Sequence, residues 1–149
     1  MNQPGFPVST LFGRTLKFLT DSLEERLRAE KISVTIVEFV LLYRLSTMQE
    51  DEVTQQNFAR MEGKHKSVIL RQIEKLEKKK LLARLPDASD RRKNNIVLTQ
   101  KGSELLNRLL AIEKKMMQEL TKGISADEIA VLKKVSLQIQ HNAIRLKSK

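Results

Sequence analysis

Residues Val53–Gly102 read VTQQNFARMEGKHKSVILRQIEKLEKKKLLARLPDASDRRKNNIVLTQKG, and the pattern in this stretch decides the fold. Thr54–Met61 is expected to be a short helix, with Thr54 as its cap and Phe58, Ala59 and Met61 on its buried side. Gly63 supplies the sharp turn after it, because glycine takes positive φ without strain. A longer amphipathic helix then begins at His65 or Ser67 and runs to about Lys79, with Ile69, Ile73 and Leu76 on one side. Leu81–Leu85 and Ile96–Leu98 are apolar at strand length, and the turn-rich PDASDRRKNN lies between them. Helix, turn, helix and a two-stranded wing form a unit suited to duplex DNA.

The charge follows the motif. Between Arg60 and Lys93 stand twelve basic and five acidic residues, a net of +7 out of +10 for the whole chain. The major groove admits one helix and presents a base-specific pattern of donors and acceptors. Ser67, Arg71, Glu74 and Lys78 lie opposite the apolar stripe, flanked by Lys66, Leu70 and Lys75. Arg71 is the best candidate for a bidentate guanine contact, being near the helix start. Lys66 and Ser67 are candidates for phosphate or base contacts, Lys75 and Lys78 for phosphate, and Leu70 for a thymine methyl group. Lys64 and His65, at the turn, join them. At the wing tip Arg91, Arg92 and Lys93 complete the expected set, since guanidinium groups suit a narrow minor groove. Local pairing of Arg91 or Arg92 with Asp87 or Asp90 is the competing use.

Outward from this unit, Thr35-Ile36-Val37-Glu38 fits a capping box opening a helix to about Leu45. That helix carries Phe39, Val40, Leu41, Leu42 and Leu45 and is expected at the centre of the core. An earlier helix, about Thr10–Glu30, repeats Leu16, Leu19, Leu23 and Leu27 at helical spacing. After the wing, Thr99 is a candidate cap, and Leu105, Leu109, Ile112, Met116 and Leu120 recur at three and four. Gly123 breaks that run. Ser125–Glu128 is a second capping box, opening a helix with Ile129, Leu132, Val135 and Ile139. The small central unit cannot cover these flanking stripes alone. Leu16, Leu19, Leu23, Leu105, Leu109, Ile112, Met116, Leu132 and Val135 are therefore expected at a contact with a second copy.

Composition narrows the classes. With 149 residues the chain is one domain or a small domain with appended helices. There are no cysteines, which removes disulfides, thiolate metal sites and thiol redox sensing. The start MNQPGFPVST has no basic region before an apolar run, so it is not read as a secretory signal. No apolar run approaches the roughly 20 residues of a membrane span. A soluble, cytoplasmic protein is expected. Aromatic residues at 4% leave little for a single-strand stacking platform. His65 and His141 stand far apart with no ligand cluster, and no phosphate loop or nucleophile elbow occurs. The acidic residues are read as scattered, solvated helical positions. Neither enzyme chemistry, a metal nor a cofactor is expected.

On these residues the chain resembles the MarR family of bacterial regulators. Asp87-Ala88-Ser89-Asp90-Arg91-Arg92 followed by Val97-Leu98-Thr99-Gln100-Lys101-Gly102 looks like that family's Asp-x-x-Asp-Arg-Arg wing and Leu-Thr-x-x-Gly exit. Thr35–Leu42 is similar to its Thr-x-x-Gln-Phe-x-Leu-Leu helix, with Glu38 in place of glutamine. Phe58-Ala59 and Lys66-Ser67 through Leu76-Glu77 look like its helix-turn-helix. Glu62 and Lys64 replace usual aliphatic residues, and Lys80 a common glycine. The resemblance implies a homodimer joined through its first and last helices. It further implies that paired winged helices bind a pseudo-palindrome, and that a small aromatic or anionic effector binds between the dimerisation and DNA-binding parts.

The expected architecture is thus mainly α. A winged helix-turn-helix over 32–99 is flanked by an arm and dimerisation helix at 1–31 and dimerisation helices at 100–149. The expected function is a sequence-specific regulator of transcription acting as a repressor, with double-stranded DNA and a second copy as partners. The alternative is a winged-helix protein–protein interaction module without specific DNA binding, against which the charged helix face argues.

Overall fold

The structure is a computed structural model that describes residues 5, 7–48, 66–86 and 94–147, with the side chains of Lys66, Asn94 and Lys147 outside that description. The expected helix at Thr54–Met61, the turn at Gly63 and the wing tip from Asp87 to Lys93 lie outside it. Five helices and one antiparallel pair of strands are described: α1 (Val8–Ala29), α2 (Ile36–Thr47), α3 (Lys66–Lys78), β1 (Leu82–Pro86), β2 (Asn94–Leu98), α4 (Gln100–Leu120) and α5 (Ala126–Lys147).

α1 starts at Val8, earlier than the leucine spacing suggests. Pro7 caps it, and its carbonyl accepts from the amides of Thr10 (2.9 Å) and Leu11 (3.2 Å). Its end is tied by two bonds of the Schellman type. Ile32 N–H donates to Leu27 O at 2.8 Å and Lys31 N–H to Arg28 O at 3.0 Å, with Lys31 at φ +55°. The capping box of α2 forms: Glu38 N–H donates to Thr35 Oγ1 at 3.2 Å and Thr35 N–H to Glu38 Oε2 at 2.8 Å. α2 is the central helix, with Phe39, Leu41, Leu42 and Leu45 buried. Val37, Val40 and Tyr43 remain exposed.

The wing pairs Leu82 with Leu98 and Arg84 with Ile96 and continues to Pro86 opposite Asn94. Both strands thus extend further toward the tip than the apolar residues alone mark, because backbone pairing, not side-chain type, ends a ladder. Proline is tolerated there at the end of a two-stranded edge. α2 packs on β2 and α3 on β1. The exit from the wing is fixed by Thr99. Its hydroxyl donates to Lys80 O (2.8 Å) and accepts from Gly102 N–H (3.0 Å), while its own N–H donates to Leu81 O (3.1 Å). Gly102 is buried, and a Cβ on it would stand 2.0 Å from Leu81 O. The glycine therefore permits α4 to start directly over the α3–β1 junction.

Residues 1–114 form one compact unit and residues 115–149 a second. The core of the first comprises Leu23, Leu27, Phe39, Leu41, Leu42, Leu45, Ile69, Ile73, Leu76, Leu81, Leu82, Ile96, Leu106 and Leu109. In the second, α5 is opened by the Ser125–Glu128 capping box, with Glu128 N–H donating to Ser125 Oγ (3.2 Å) and Ser125 N–H to Glu128 Oε2 (2.8 Å). Leu132, Val135 and Ile139 of α5 are exposed. Among the described residues no helix is long and apolar enough to cross a membrane.

Candidate nucleic-acid interface

α3 separates its residues by face. Ile69, Ile73 and Leu76 are buried at 3%, 0% and 0% exposure. Ser67, Arg71, Glu74, Lys75 and Lys78 are exposed, and Leu70 is half-buried. At ~3.6 residues per turn this is one apolar stripe held by the core and one charged stripe turned to solvent. Val68, in the first turn, is also exposed, which periodicity did not single out. Of the other expected contacts, Lys64, His65, Arg91, Arg92 and Lys93 lie outside the described residues, as does the side chain of Lys66.

The C-terminal end of α3 is closed by a second Schellman-type pair. Leu81 N–H donates to Leu76 O at 3.0 Å and Lys80 N–H to Glu77 O at 2.8 Å. Lys80 takes φ +59°, the left-handed conformation that glycine favours. This gives the departure at Lys80 a meaning: the backbone keeps the turn and carries the strain of a side chain in it. Lys101 Nζ, from α4, donates to the nearby Lys79 carbonyl at 3.1 Å.

Among the described residues of the basic stretch, Lys79 and Arg84 have ion-pair partners. Lys79 Nζ lies 2.9 and 2.8 Å from the carboxylate oxygens of Glu38 and donates to Ser33 O at 2.9 Å, so it locks the end of α3 onto the start of α2. Arg84 Nη2 of β1 lies 2.9 Å from Glu77 Oε2 of α3 and braces the wing against that helix. Glu38 corrects the reading of the acids as solvated positions: it is 2% exposed. Burial pushes its carboxyl up, but the Lys79 ammonium and the Thr35 amide outweigh burial and hold it below the ordinary glutamate range. A clue was present in the sequence, since a capping-box acid is placed near the helix start. Its partner forty-one residues away had no local signal.

The expected dimerisation residues divide. Leu23 and Leu109 are buried in the core of the first unit, and Met116 is buried as well. Leu19, Leu105 and Ile112 are half-buried. Leu16, Leu132 and Val135 are exposed at 63%, 50% and 44%. Leu106, which lies beside the seam read from periodicity, is buried at 4% exposure.

A solvent-facing basic helix, braced against a two-stranded wing and followed by a capped exit helix, defines a winged-helix protein of the transcriptional-regulator class. The MarR family model matches residues 34–93. The chain is 30% identical to transcriptional regulator PA3341, over 93% of this chain and 99% of that one, with a TM-score of 0.75. It is 27% identical to S. aureus MepR, whose structure is a complex with DNA, over 93% and 99% of the two chains, with a TM-score of 0.78. Wild-type MarR from E. coli in its apo form shares the fold at 22% identity, covering 91% of this chain and 98% of that chain, with a TM-score of 0.70. The chain belongs to the MarR family.

Proposed function

We propose that this protein is a sequence-specific regulator that binds double-stranded DNA as a homodimer, represses transcription from a pseudo-palindromic operator and works in the cytoplasm. The observation that carries the reading is the exposed face of α3, where Ser67, Arg71, Lys75 and Lys78 stand together on one helix. A helix so charged, beside a wing, suits insertion into the major groove with flanking phosphate contacts. The MepR structure, solved with DNA, supports the same use of the fold. Arg71 is assigned to a guanine, Ser67 and Leu70 to base edges, Lys75 and Lys78 to phosphate. Lys64, His65, Lys66, Arg91, Arg92 and Lys93 extend that surface on sequence grounds.

Dimerisation is supported by apolar residues left in water. α1 exposes Val8, Leu11, Phe12, Leu16 and Phe18, and α5 exposes Leu132, Val135 and Ile139. Stripes of this kind on long helices suit helix–helix burial. The division into an N-terminal dimerisation helix, a winged unit over 32–99 and C-terminal dimerisation helices is retained on that basis. A small aromatic or anionic effector is supported by an open cleft of about 450 Å³ lined by Glu24, Leu27, Arg28, Ile32–Thr35 and Lys79. Arg28 offers positive charge there beside the Glu24 carboxylate, while the Lys79 ammonium is already taken by Glu38 and Ser33 O.

Selection of bound fragments from random duplex DNA tests the central reading. A palindromic consensus bound with a steep salt dependence is the expected result. Failure to enrich any sequence, with binding weak at all salt concentrations, would leave a protein–protein module instead. Titration of the bound complex with a panel of aromatic carboxylic acids tests effector release.

A further inference from the structure

We propose that Glu74 is a specificity-determining residue, its carboxylate accepting a hydrogen bond from the exocyclic amino group of a cytosine next to, or paired with, the guanine taken by Arg71. The inference rests on the DNA-reading role assigned above to α3.

Position comes first. Ser67, Arg71, Glu74 and Lys78 follow one another at spacings of four, three and four, so they share one stripe of the helix. All four are exposed. The buried residues Ile69, Ile73 and Leu76 occupy the opposite side. Any nucleic acid that meets Arg71 and Lys78 also meets Glu74 between them.

Charge makes that position conspicuous. α3 carries two acids. Glu77 is held by Arg84 of the wing at 2.9 Å. Among the described residues no ion pair joins Glu74 to Arg71 or Lys78, although both are within reach along the helix. A carboxylate turned toward a phosphate lattice lowers affinity for every duplex. Such a residue adds to recognition only where the groove offers it a proton donor.

The major groove has two such donors, N4 of cytosine and N6 of adenine. A carboxylate is acceptor-only. Adenine sets its N7 acceptor beside N6, so the second carboxylate oxygen meets a lone pair there. Cytosine has no acceptor beside N4 on its own edge. Guanine and thymine present acceptors at the equivalent places and repel the group. The chemistry therefore selects cytosine. Three residues of helix advance ~4.5 Å, and one base pair is ~3.4 Å of duplex. Arg71 and Glu74 thus address one G·C pair from both edges, or two neighbouring pairs.

The test compares the full-length wild type with Glu74→Ala and Glu74→Gln on the selected operator, on operators with each base pair changed in turn, and on a scrambled duplex. Thermal unfolding confirms that the variants fold. Glu74→Ala is expected to lose preference for cytosine at one position per half-site, by on the order of tenfold, while binding the scrambled duplex more tightly than wild type. Glu74→Gln is expected to move that preference toward adenine, because an amide matches adenine N6 and N7 together. If Glu74→Ala tightens binding to all duplexes by one common factor, Glu74 is a solvated charge and the inference is overturned. A wild-type chain that binds no duplex at all would overturn the DNA-reading role itself, a separate result.

Discussion

Lys79 and Glu38 form an ion pair in which one ammonium reaches both carboxylate oxygens, at 2.9 and 2.8 Å, with the carboxylate buried to 3% side-chain exposure and the lysine still 37% exposed. The pair joins the residue just past the end of α3 to the first turn of the central helix. Removing one partner of a buried pair leaves the other charge unsatisfied. Because the lysine is partly solvated, Lys79→Ala should cost about 2 kcal/mol, below the range for fully buried pairs. Urea unfolding at neutral pH measures it.

The same pair predicts a pH dependence. The folded carboxyl lies below its ordinary value, so its contribution is fully present above the unfolded glutamate pKa, about 4.3. It is lost as pH falls through the lower, folded value. In Glu38→Gln that contribution is missing. The stability gap between wild type and Glu38→Gln should therefore hold from neutral pH down to about 5 and narrow as the pH is lowered below about 4.3. A gap constant across that range would show that the carboxylate is not held by charge.

Gly102 lies under the carbonyl of Leu81, with 2.0 Å between that oxygen and any added Cβ. Neither group can step aside, since Leu81 O is also bonded by Thr99 N–H at 3.1 Å. Gly102→Ala should destabilise by about 2–3 kcal/mol through overpacking against backbone. Chemical denaturation reads this directly, and loss of DNA affinity should accompany it because the wing exit shifts.

Lys31 and Lys80 both sit in the left-handed region, at φ +55° and +59°. A side chain there costs roughly 1–2 kcal/mol, part of which returns as the unfolded-state entropy of an introduced glycine. Lys80→Gly should raise stability by about 0.5–1 kcal/mol without altering the fold. A fall in midpoint would mean that the lysine side chain makes a compensating contact.

Two leucines should separate folding from association. Leu109 is 0% exposed and Leu16 is 63% exposed. Leu109→Glu buries a charge in the core and should unfold the chain. Leu16→Glu should leave the circular dichroism spectrum intact and shift sedimentation from dimer to monomer. Unchanged sedimentation would remove α1 from the proposed interface.

On the exposed stripe of α3, Arg71→Ala should cost about 1–3 kcal/mol per half-site on the preferred operator and relax base preference at one position. Lys78→Ala, two turns on, should weaken all duplexes alike and reduce the salt slope by about one per contact. Titrations at several salt concentrations distinguish them. Equal losses for Arg71→Ala on operator and scrambled DNA would falsify the base-reading role.

The sequence by itself determined what depends on neighbours along the chain. Both capping boxes close within three residues, Thr99 caps at the same range, and the apolar stripe of α3 repeats at helical spacing. Each is a local hydrogen-bond or burial pattern that residue order alone specifies. The tertiary structure decided what depends on docking. Nothing within a few residues of Glu38 announces Lys79, and nothing beside Arg84 announces Glu77. The leucines of α1 and α4 repeat so evenly that periodicity assigns them all to one face. Only packing shows Leu23 and Leu109 buried inside the chain while Leu16 stays in water. Periodicity gives the direction in which a helix is apolar, whereas the surface it meets is set by where the other helices lie.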